Sequence, residues 1–162
     1  MNKKNKKISE NKKRLVILKA KGDFVFHGSS SIIKELEPRQ PMIYDEKIKK
    51  EIKHGNLCVA ATPFISIALF RAIINKQNFP FKGYQSSFGF SKQKNKCYFN
   101  TTERVFSQIK GKKGYVHVLS KKNFKRFSTM EYRSERTERP SEIISVDYED
   151  LPDDIEIIDD PN

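Results

Sequence analysis

Residues 24–31, Phe-Val-Phe-His-Gly-Ser-Ser-Ser, change from an apolar run to a polar one at His27. Aromatic and β-branched residues favour a buried strand, whereas glycine and serine interrupt one and offer hydrogen-bonding groups at its end. We therefore expect a strand over 24–26 that ends at His27 and presents this side chain to a cleft. Taken alone, the same pattern also fits a strand that ends in a turn with a surface histidine.

The length and composition predict one domain with a compact core. The chain has 162 residues, of which 36% are hydrophobic and 32% are charged, within the range of a single folded domain. We expect a disordered basic arm over residues 1–14, a folded domain over 15–150 and a poorly ordered acidic tail over 151–162. Neither end has the apolar periodicity needed to add to a core.

The charge is unevenly distributed along the chain. The net charge is +12, residues 1–14 hold seven Lys or Arg against one Glu, and residues 147–162 hold eight acids and no base. The body between them is therefore strongly basic, which favours binding of nucleic acid or another polyanion, such as an acidic protein. Compositional bias alone also produces lysine-rich surfaces, so the charge does not by itself assign a chemistry.

The cysteines and the apolar runs predict a cytoplasmic protein with reduced thiols. Cys58 and Cys97 are the only cysteines, and neither has a second cysteine at metal-ligand spacing, so we expect no metal site. The run 15–18 is too short for a secretory or membrane-spanning segment, and Lys19 and Lys21 interrupt it. We expect no membrane interaction.

The order of elements predicts an α+β fold of antiparallel character, because strands and helices do not alternate regularly. The apolar run at 57–61 ends at Thr62-Pro63, a cap and first-turn pair that predicts a buried helix. Residues 78–99 interleave aromatics with lysines, a pattern that either covers a core edge or stacks on single-stranded nucleic acid. The expected strands are 15–18, 24–26, 57–61, 114–119, 127–134 and 143–146, and the expected helices are 32–36, 45–53 and 64–74.

Three segments in order resemble the ADP-ribosyltransferases of the poly(ADP-ribose)-polymerase-like and diphtheria-toxin-like kind. Residues 24–31 are similar to the Leu-Trp-His-Gly-Ser segment that opens their NAD site. The strand end 59–63 and the helix after it resemble the family's Tyr-Phe-Ala-Asp strand end and helix, with Val59 at the position of a conserved tyrosine. Met130-Glu131-Tyr132 looks like the Asn-Glu-Tyr strand that carries the catalytic glutamate.

The resemblance implies a split antiparallel β-sheet and an NAD-dependent transferase, a divergent small prokaryotic or phage member. Such an enzyme transfers ADP-ribose from NAD to a protein or nucleic-acid acceptor and releases nicotinamide. Glu131 would stabilise the positive charge that develops on the ribose. His27 would donate to the adenosine ribose, Gly28 would let the backbone approach the nicotinamide amide, Ser29 would add a hydroxyl contact, and Phe70 would cover the ring.

Two alternatives stay open at this point. RNA 2′-phosphotransferases share this fold and consume NAD, and a basic body suits RNA. They hold the phosphate with arginine and histidine positions, and this sequence offers no match to a second histidine after an early arginine, so this alternative ranks below ADP-ribosyl transfer. The second alternative is a catalytically degenerate module of the same fold, which binds nucleic acid or another polyanion. The valine at position 59 favours this module, and the retained His27 and Glu131 count against it.

Overall fold

Short strands and few helices make up residues 7–160, the part of the chain that the computed structural model describes. The strands pair mostly antiparallel, in several small sheets, so the α+β class is confirmed. No helix within residues 7–160 is long and apolar enough to cross a membrane. In chain order the elements are α1 (Glu10–Ala20), β1 (Phe24–Ser29), β2 (Met42–Asp45), β3 (Lys50–Lys53), β4 (Val59–Ala61), α2 (Ile65–Ile73), β5 (Ser86–Ser91), β6 (Lys96–Thr102), α3 (Glu103–Phe106), β7 (Lys113–Ser120), β8 (Lys125–Arg126), β9 (Tyr132–Ser134), β10 (Glu142–Asp147) and β11 (Ile155–Ile158).

Strand β7 is the centre of the main sheet, with β1 and β10 antiparallel on its two sides. A second sheet has the order β11-β6-β5, and a third has the order β4-β9-β8. An isolated bridge from Phe26 to Thr62 joins the end of β4 to β1. This bridge brings the third sheet, which carries the residues around Glu131, against the middle of β1.

Helix α2 lies on the main sheet and forms the core with it. The predicted helix over 64–74 is confirmed, and its side chains are buried on nearly all sides. The predicted cap at Thr62-Pro63 is wrong, because the helix begins at Ile65 with Phe64 as its N-cap, and the Thr62 hydroxyl accepts from the Phe64 N–H before the helix. The approach is close because Gly28 and Gly114 have no side chain. A Cβ atom at Gly28 would lie 2.0 Å from the carbonyl oxygen of Ala68, and one at Gly114 would lie 2.0 Å from that of Ala72. The helix backbone therefore rests directly on β1 and β7.

Helix α1 replaces two elements that the sequence predicted. The disordered arm over 1–14 and the strand over 15–18 are wrong from residue 10 onward, and residues 1–6 of that arm lie outside the described residues. The reason is that Leu15 and Leu18 stand three residues apart, so a helix buries both while Val16 and Ile17 stay 54% exposed. A Ser9 cap, which accepts from the Lys12 N–H at 3.0 Å, starts the helix.

Two other predicted helices are absent because their backbone groups bond elsewhere. Residues 45–53 form the turn and second strand of the β2–β3 hairpin, in which Lys49 adopts a left-handed φ of 52°. Residues 32–36 are irregular, with bends at 34 and 35, and Leu36 exchanges two backbone hydrogen bonds with Glu138 at 2.8 and 2.9 Å. The spacing of apolar residues along a segment cannot predict hydrogen bonds to residues that are distant in the sequence.

The acidic tail predicted over 151–162 contains a strand. β11 pairs in parallel with β6, and Leu151 is only 3% exposed. The isoleucines among the acids supply apolar side chains that stabilise this strand, so the domain continues past residue 150. Residues 161 and 162 of the predicted tail lie outside the described part of the chain. Most of the aromatic stretch over 78–99 lies in the β5–β6 hairpin, and Phe79 and Phe99 are buried in the core. Both cysteines are free and buried.

Replacing Gly114 by alanine should destabilise the domain, because the new methyl group would meet the backbone of α2, which has no freedom to turn away. Overpacking of this kind costs about 1–3 kcal/mol, and each kcal/mol lowers the unfolding midpoint by roughly 2–4 °C in a chain of this size. Thermal unfolding followed by circular dichroism measures the effect.

Gly89→Ala is the matched control for this substitution. A Cβ atom at Gly89 would meet only the side chain of Tyr98, which is 48% exposed and can rotate into solvent. Its midpoint should fall less than that of Gly114→Ala. A midpoint for Gly114→Ala equal to that of the parent would contradict the close approach of α2.

Candidate functional site

His27 and Glu131 lie at one pocket although they are far apart in the sequence. The pocket has a volume of about 160 Å³, and Arg71, Phe88 and Met130 are among its other lining residues. His27 comes from β1, and Glu131 comes from the loop that enters β9. The prediction that β1 ends at His27 is wrong, since the strand continues to Ser29. The side chain therefore projects from within the main sheet.

Two larger pockets continue from the first. One, of about 630 Å³, shares His27, Arg71 and Glu131 with it and adds Arg39 and Arg133. The other, of about 690 Å³, also contains His27 and Arg71 and extends past Tyr84. Together they form a cleft whose small, mostly apolar end opens into wider space lined by arginines.

The Glu131 carboxylate is held by Arg133, its neighbour but one on the chain. Two guanidinium nitrogens of Arg133, Nε and one terminal nitrogen, lie 2.8 Å from Glu131 Oε2. The Oε1 atom has no hydrogen-bond partner within residues 7–160. Arg133 is itself fixed, because its guanidinium lies 3.5 Å from the centre of the Phe127 ring. One carboxylate oxygen is thus anchored, and the other is left for a ligand.

Arg71 and Arg39 give the cleft a positive potential. Arg71 is the one cation of helix α2, and no hydrogen bond or ion pair engages its guanidinium within the described part of the chain. Desolvation by the surrounding walls lowers the pKa of Arg71, and the Glu131 charge opposes this shift. The charges of Arg71 and Arg39 both act on His27. Arginines that present free donors in a cleft suit phosphate or carboxylate groups.

The hydrogen bonding of His27 defines what its ring can offer a ligand. Its Nδ1 lies 2.8 Å from the Ala60 carbonyl oxygen, which only accepts, so Nδ1 carries the proton and donates. Burial lowers the pKa of His27 from 6.5 to about 4, and the positive charges of Arg71 and Arg39 add to the shift. The ring is therefore neutral at pH 7, and its Nε2 is an acceptor.

His117 is a structural residue behind His27. It is fully buried, and the two ring centres are 5.9 Å apart. The Ile33 N–H donates to His117 Nε2 at 2.9 Å, and His117 Nδ1 lies 3.1 Å from the carbonyl oxygen of His27. Since Nε2 must accept, Nδ1 carries the proton and donates, and both ring nitrogens are used. This neutral ring fastens the loop after β1 and has no nitrogen left for a ligand.

Three residues that the resemblance places in contact with NAD are surrounded mainly by the protein's own atoms. Phe70 is 1% exposed and packs against Phe99 at 5.0 Å between ring centres, so its ring belongs to the core. Gly28 lines the pocket, but its missing side chain makes room for α2 rather than for a ligand. Ser29 lies in the pocket of about 690 Å³, and its Oγ accepts from the Ser31 N–H at 3.3 Å.

The sequence did not point to Arg71, Arg133, Arg39 or Phe88. Arg71 is a lone cation on an otherwise apolar helix, and this was the signal that could have identified it. Phe88 lines both the 160 Å³ and the 690 Å³ pockets, whereas Phe70, the aromatic that the sequence placed at the site, lines the 690 Å³ pocket but not the 160 Å³ one. Val59, at the position of the family's tyrosine, is 3% exposed and packs in a second small core.

No family model, curated protein or solved structure matches this chain.

Lowering the pH should destabilise the protein through His27. The native ring has a pKa of about 4, whereas the unfolded ring has one near 6.5, so the unfolded state binds the proton first as the pH falls. The contribution of the neutral His27 ring to the free energy of unfolding is present above pH 6.5 and is lost progressively as the pH falls toward 4. Between pH 7 and pH 5 the loss from His27 is on the order of 2 kcal/mol.

Urea unfolding of the parent and of His27→Asn at these two pH values measures that contribution. The asparagine amide can still donate to the Ala60 carbonyl but does not titrate. The variant should lose less stability than the parent between pH 7 and pH 5. An equal loss in both proteins would mean that His27 is not held neutral.

Proposed function

We propose that this protein is an NAD-dependent ADP-ribosyltransferase. The single observation that carries the proposal is that His27 and Glu131, on segments that resemble the two ends of such a site, line one pocket. In the reaction, the bond between nicotinamide and the ribose carbon breaks and nicotinamide leaves with the bonding electrons. A nucleophile on the acceptor then forms a bond to that carbon. The split antiparallel sheet of this family is part of the same proposal.

The small pocket suits the nicotinamide ring. Its volume of about 160 Å³ is close to that of a cavity of roughly 150 Å³ that accepts benzene. Phe88 and Met130 supply apolar surface for a flat ring, a role that Phe70 has no exposed surface to perform. The wider cleft of about 630 Å³ has the volume needed for the rest of a dinucleotide.

The arginines and His27 suit the remaining parts of NAD. Arg39 and Arg71 offer donors for the two phosphates, which they can bind through paired N–H groups. His27 Nε2 accepts, so it would receive a hydrogen bond from a ribose hydroxyl. This reverses the direction expected from the resemblance, in which His27 donates, because Ala60 has already taken the only ring proton.

Glu131 would stabilise the transition state, in which positive charge builds on the ribose ring. A carboxylate that is already oriented interacts more strongly with this charge than with the neutral ground-state sugar. Arg133 is the positioning residue, since it holds Oε2 and leaves Oε1 without a partner within residues 7–160. The pair lowers the cost of fixing the carboxylate, because Arg133 is itself packed on Phe127.

The alternatives differ in what they require of the same residues. A 2′-phosphotransferase would need a second histidine at the phosphate. His117 has both ring nitrogens occupied, whereas His54 lines the 630 Å³ pocket, and its Nδ1 is buried without a hydrogen-bond partner within residues 7–160. A binding module without activity would need neither the anchored Glu131 nor the small apolar pocket. Timed release of nicotinamide from NAD separates the enzymes from the module.

Glu131→Gln should reduce nicotinamide release by about 10²–10³-fold while NAD still binds, because the amide keeps the shape and loses the charge. His27→Ala should instead weaken NAD binding by about threefold to tenfold, the effect of one hydrogen bond. Calorimetric titration with NAD and chromatographic assay of nicotinamide provide the two readouts.

Glu51→Gln on the exposed β3 strand is the matched control and should leave both readouts unchanged. Turnover of Glu131→Gln equal to that of the parent would remove Glu131 from the mechanism. A parent that releases no nicotinamide would overturn the proposed function.

A further inference from the structure

A second groove adjoins the Glu131 pocket on the side of β8 and β9. It has a volume of about 620 Å³. Phe127 and Arg133 line both this groove and the 630 Å³ pocket, so the two spaces adjoin at these side chains. We call it the basic groove and define it by residues Asn56, Lys122, Lys125, Arg126, Phe127 and Arg136.

Four cations of the basic groove are exposed and take part in no ion pair within residues 7–160. They are Lys122, Lys125, Arg126 and Arg136. The one acid of the lining, Glu135, is engaged by the Asn56 side chain at 2.9 Å. Four cations against one carboxylate leave the groove with an excess of positive charge. Such a groove attracts a polyanion, because the cations displace the counterions held by its phosphates.

Phe127 places an aromatic face in the middle of this charge. Its side chain is 50% exposed, an unusual cost for a phenylalanine. Arg133 covers one side of the ring at 3.5 Å, and His54 meets it edge-on with ring centres 5.5 Å apart. The Phe127 N–H donates to the Glu131 carbonyl at 2.9 Å. The ring is therefore rigid, partly open to solvent and directly beside the candidate catalytic residue.

We propose that the basic groove binds single-stranded nucleic acid, which is the acceptor of the ADP-ribosyl group. The proposal rests on the proposed function and names its acceptor class. Cations neutralise the backbone, and a base stacks on Phe127, the combination that single strands use on proteins. A duplex keeps its bases stacked inside and offers Phe127 none. An acidic peptide would use the charge but not the aromatic face.

The transfer balances without a further reactant. NAD supplies the ADP-ribosyl group, and its bond from the ribose carbon to nicotinamide breaks with both electrons going to nicotinamide. A nucleophilic nitrogen or oxygen of the bound strand gives an electron pair to that carbon and loses a proton to water. The Phe127 contact holds the strand at the Glu131 end of the groove, where this carbon would lie.

Fluorescence anisotropy with labelled oligonucleotides tests the groove without requiring turnover. The full-length chain should bind a mixed-sequence single strand, RNA or DNA, at least tenfold more tightly than a duplex of the same sequence or a polyglutamate peptide. Phe127→Leu, which keeps apolar cover for Arg133 but has no aromatic face, should weaken binding on the order of tenfold. Phe127→Tyr should bind like the parent.

Charge reversal tests the backbone contacts. The double variant Lys122→Glu/Lys125→Glu should weaken binding and reduce the slope of log affinity against log salt by about 0.7 for each lost phosphate contact. Lys92→Glu/Lys94→Glu, in the exposed turn of the β5–β6 hairpin, changes the net charge equally and should have a smaller effect.

Binding of duplex or polyglutamate as tightly as the single strand would overturn the proposal. So would equal losses in the groove and control double variants, or unchanged binding by Phe127→Leu. With NAD present, the bound strand should gain the mass of one ADP-ribosyl group, and no gain despite nicotinamide release would remove the strand as acceptor. Selective single-strand binding without any nicotinamide release would overturn the proposed function and the acceptor role together, leaving the groove as a binding site alone.

Discussion

The contact of helix α2 with the backbones of β1 and β7 is the constraint on which the rest of the structure depends. Gly28 and Gly114 let the helix approach until the carbonyls of Ala68 and Ala72 occupy the space of the absent side chains. At that distance the helix has little room to slide or rotate, so the backbone at Arg71 is held at a fixed place beside the cleft. The same glycine that resembles a ligand-binding feature in the sequence is thus first a packing feature.

The electrostatics of the cleft follow from this placement. Burial already keeps His27 neutral, and the charge of Arg71 adds to the cost of a second positive charge beside it. Because the single proton of the neutral His27 ring is donated to the Ala60 carbonyl, the other ring nitrogen is an acceptor beside the arginine donors. For Glu131, in contrast, the Arg133 guanidinium both balances the charge and fixes the orientation of the carboxylate. The cleft therefore offers a ligand three different groups: the neutral acceptor His27, the oriented Glu131 carboxylate, and the unpaired guanidinium groups of Arg39 and Arg71 within the described residues.

The sequence predicted the elements whose information is local. The buried run of α2, the strand at β7 and the aromatic hairpin all carry a pattern that their own residues set. Residues 32–36 and 45–53 failed because their backbone groups are satisfied by distant partners or a left-handed turn, which no periodicity records. In the candidate site, segment order brought His27 and Glu131 into the prediction, and the two residues line one pocket. The prediction for Phe70 could not foresee that the orientation of α2 leaves this ring only 1% exposed.

Arg133 connects the candidate chemistry to the candidate acceptor surface. It bonds Glu131 on one side and covers Phe127 on the other, so neither neighbour can move without disturbing it. Since the Phe127 backbone also bonds to that of Glu131, the loop before β9 is closed on itself at the point where the pocket and the basic groove meet. A ligand that pressed on the Phe127 ring would act on the orientation of the Glu131 carboxylate through one intervening side chain. Under the proposed function, a strand bound in the groove would therefore act on the alignment of the carboxylate through the packing of this single guanidinium.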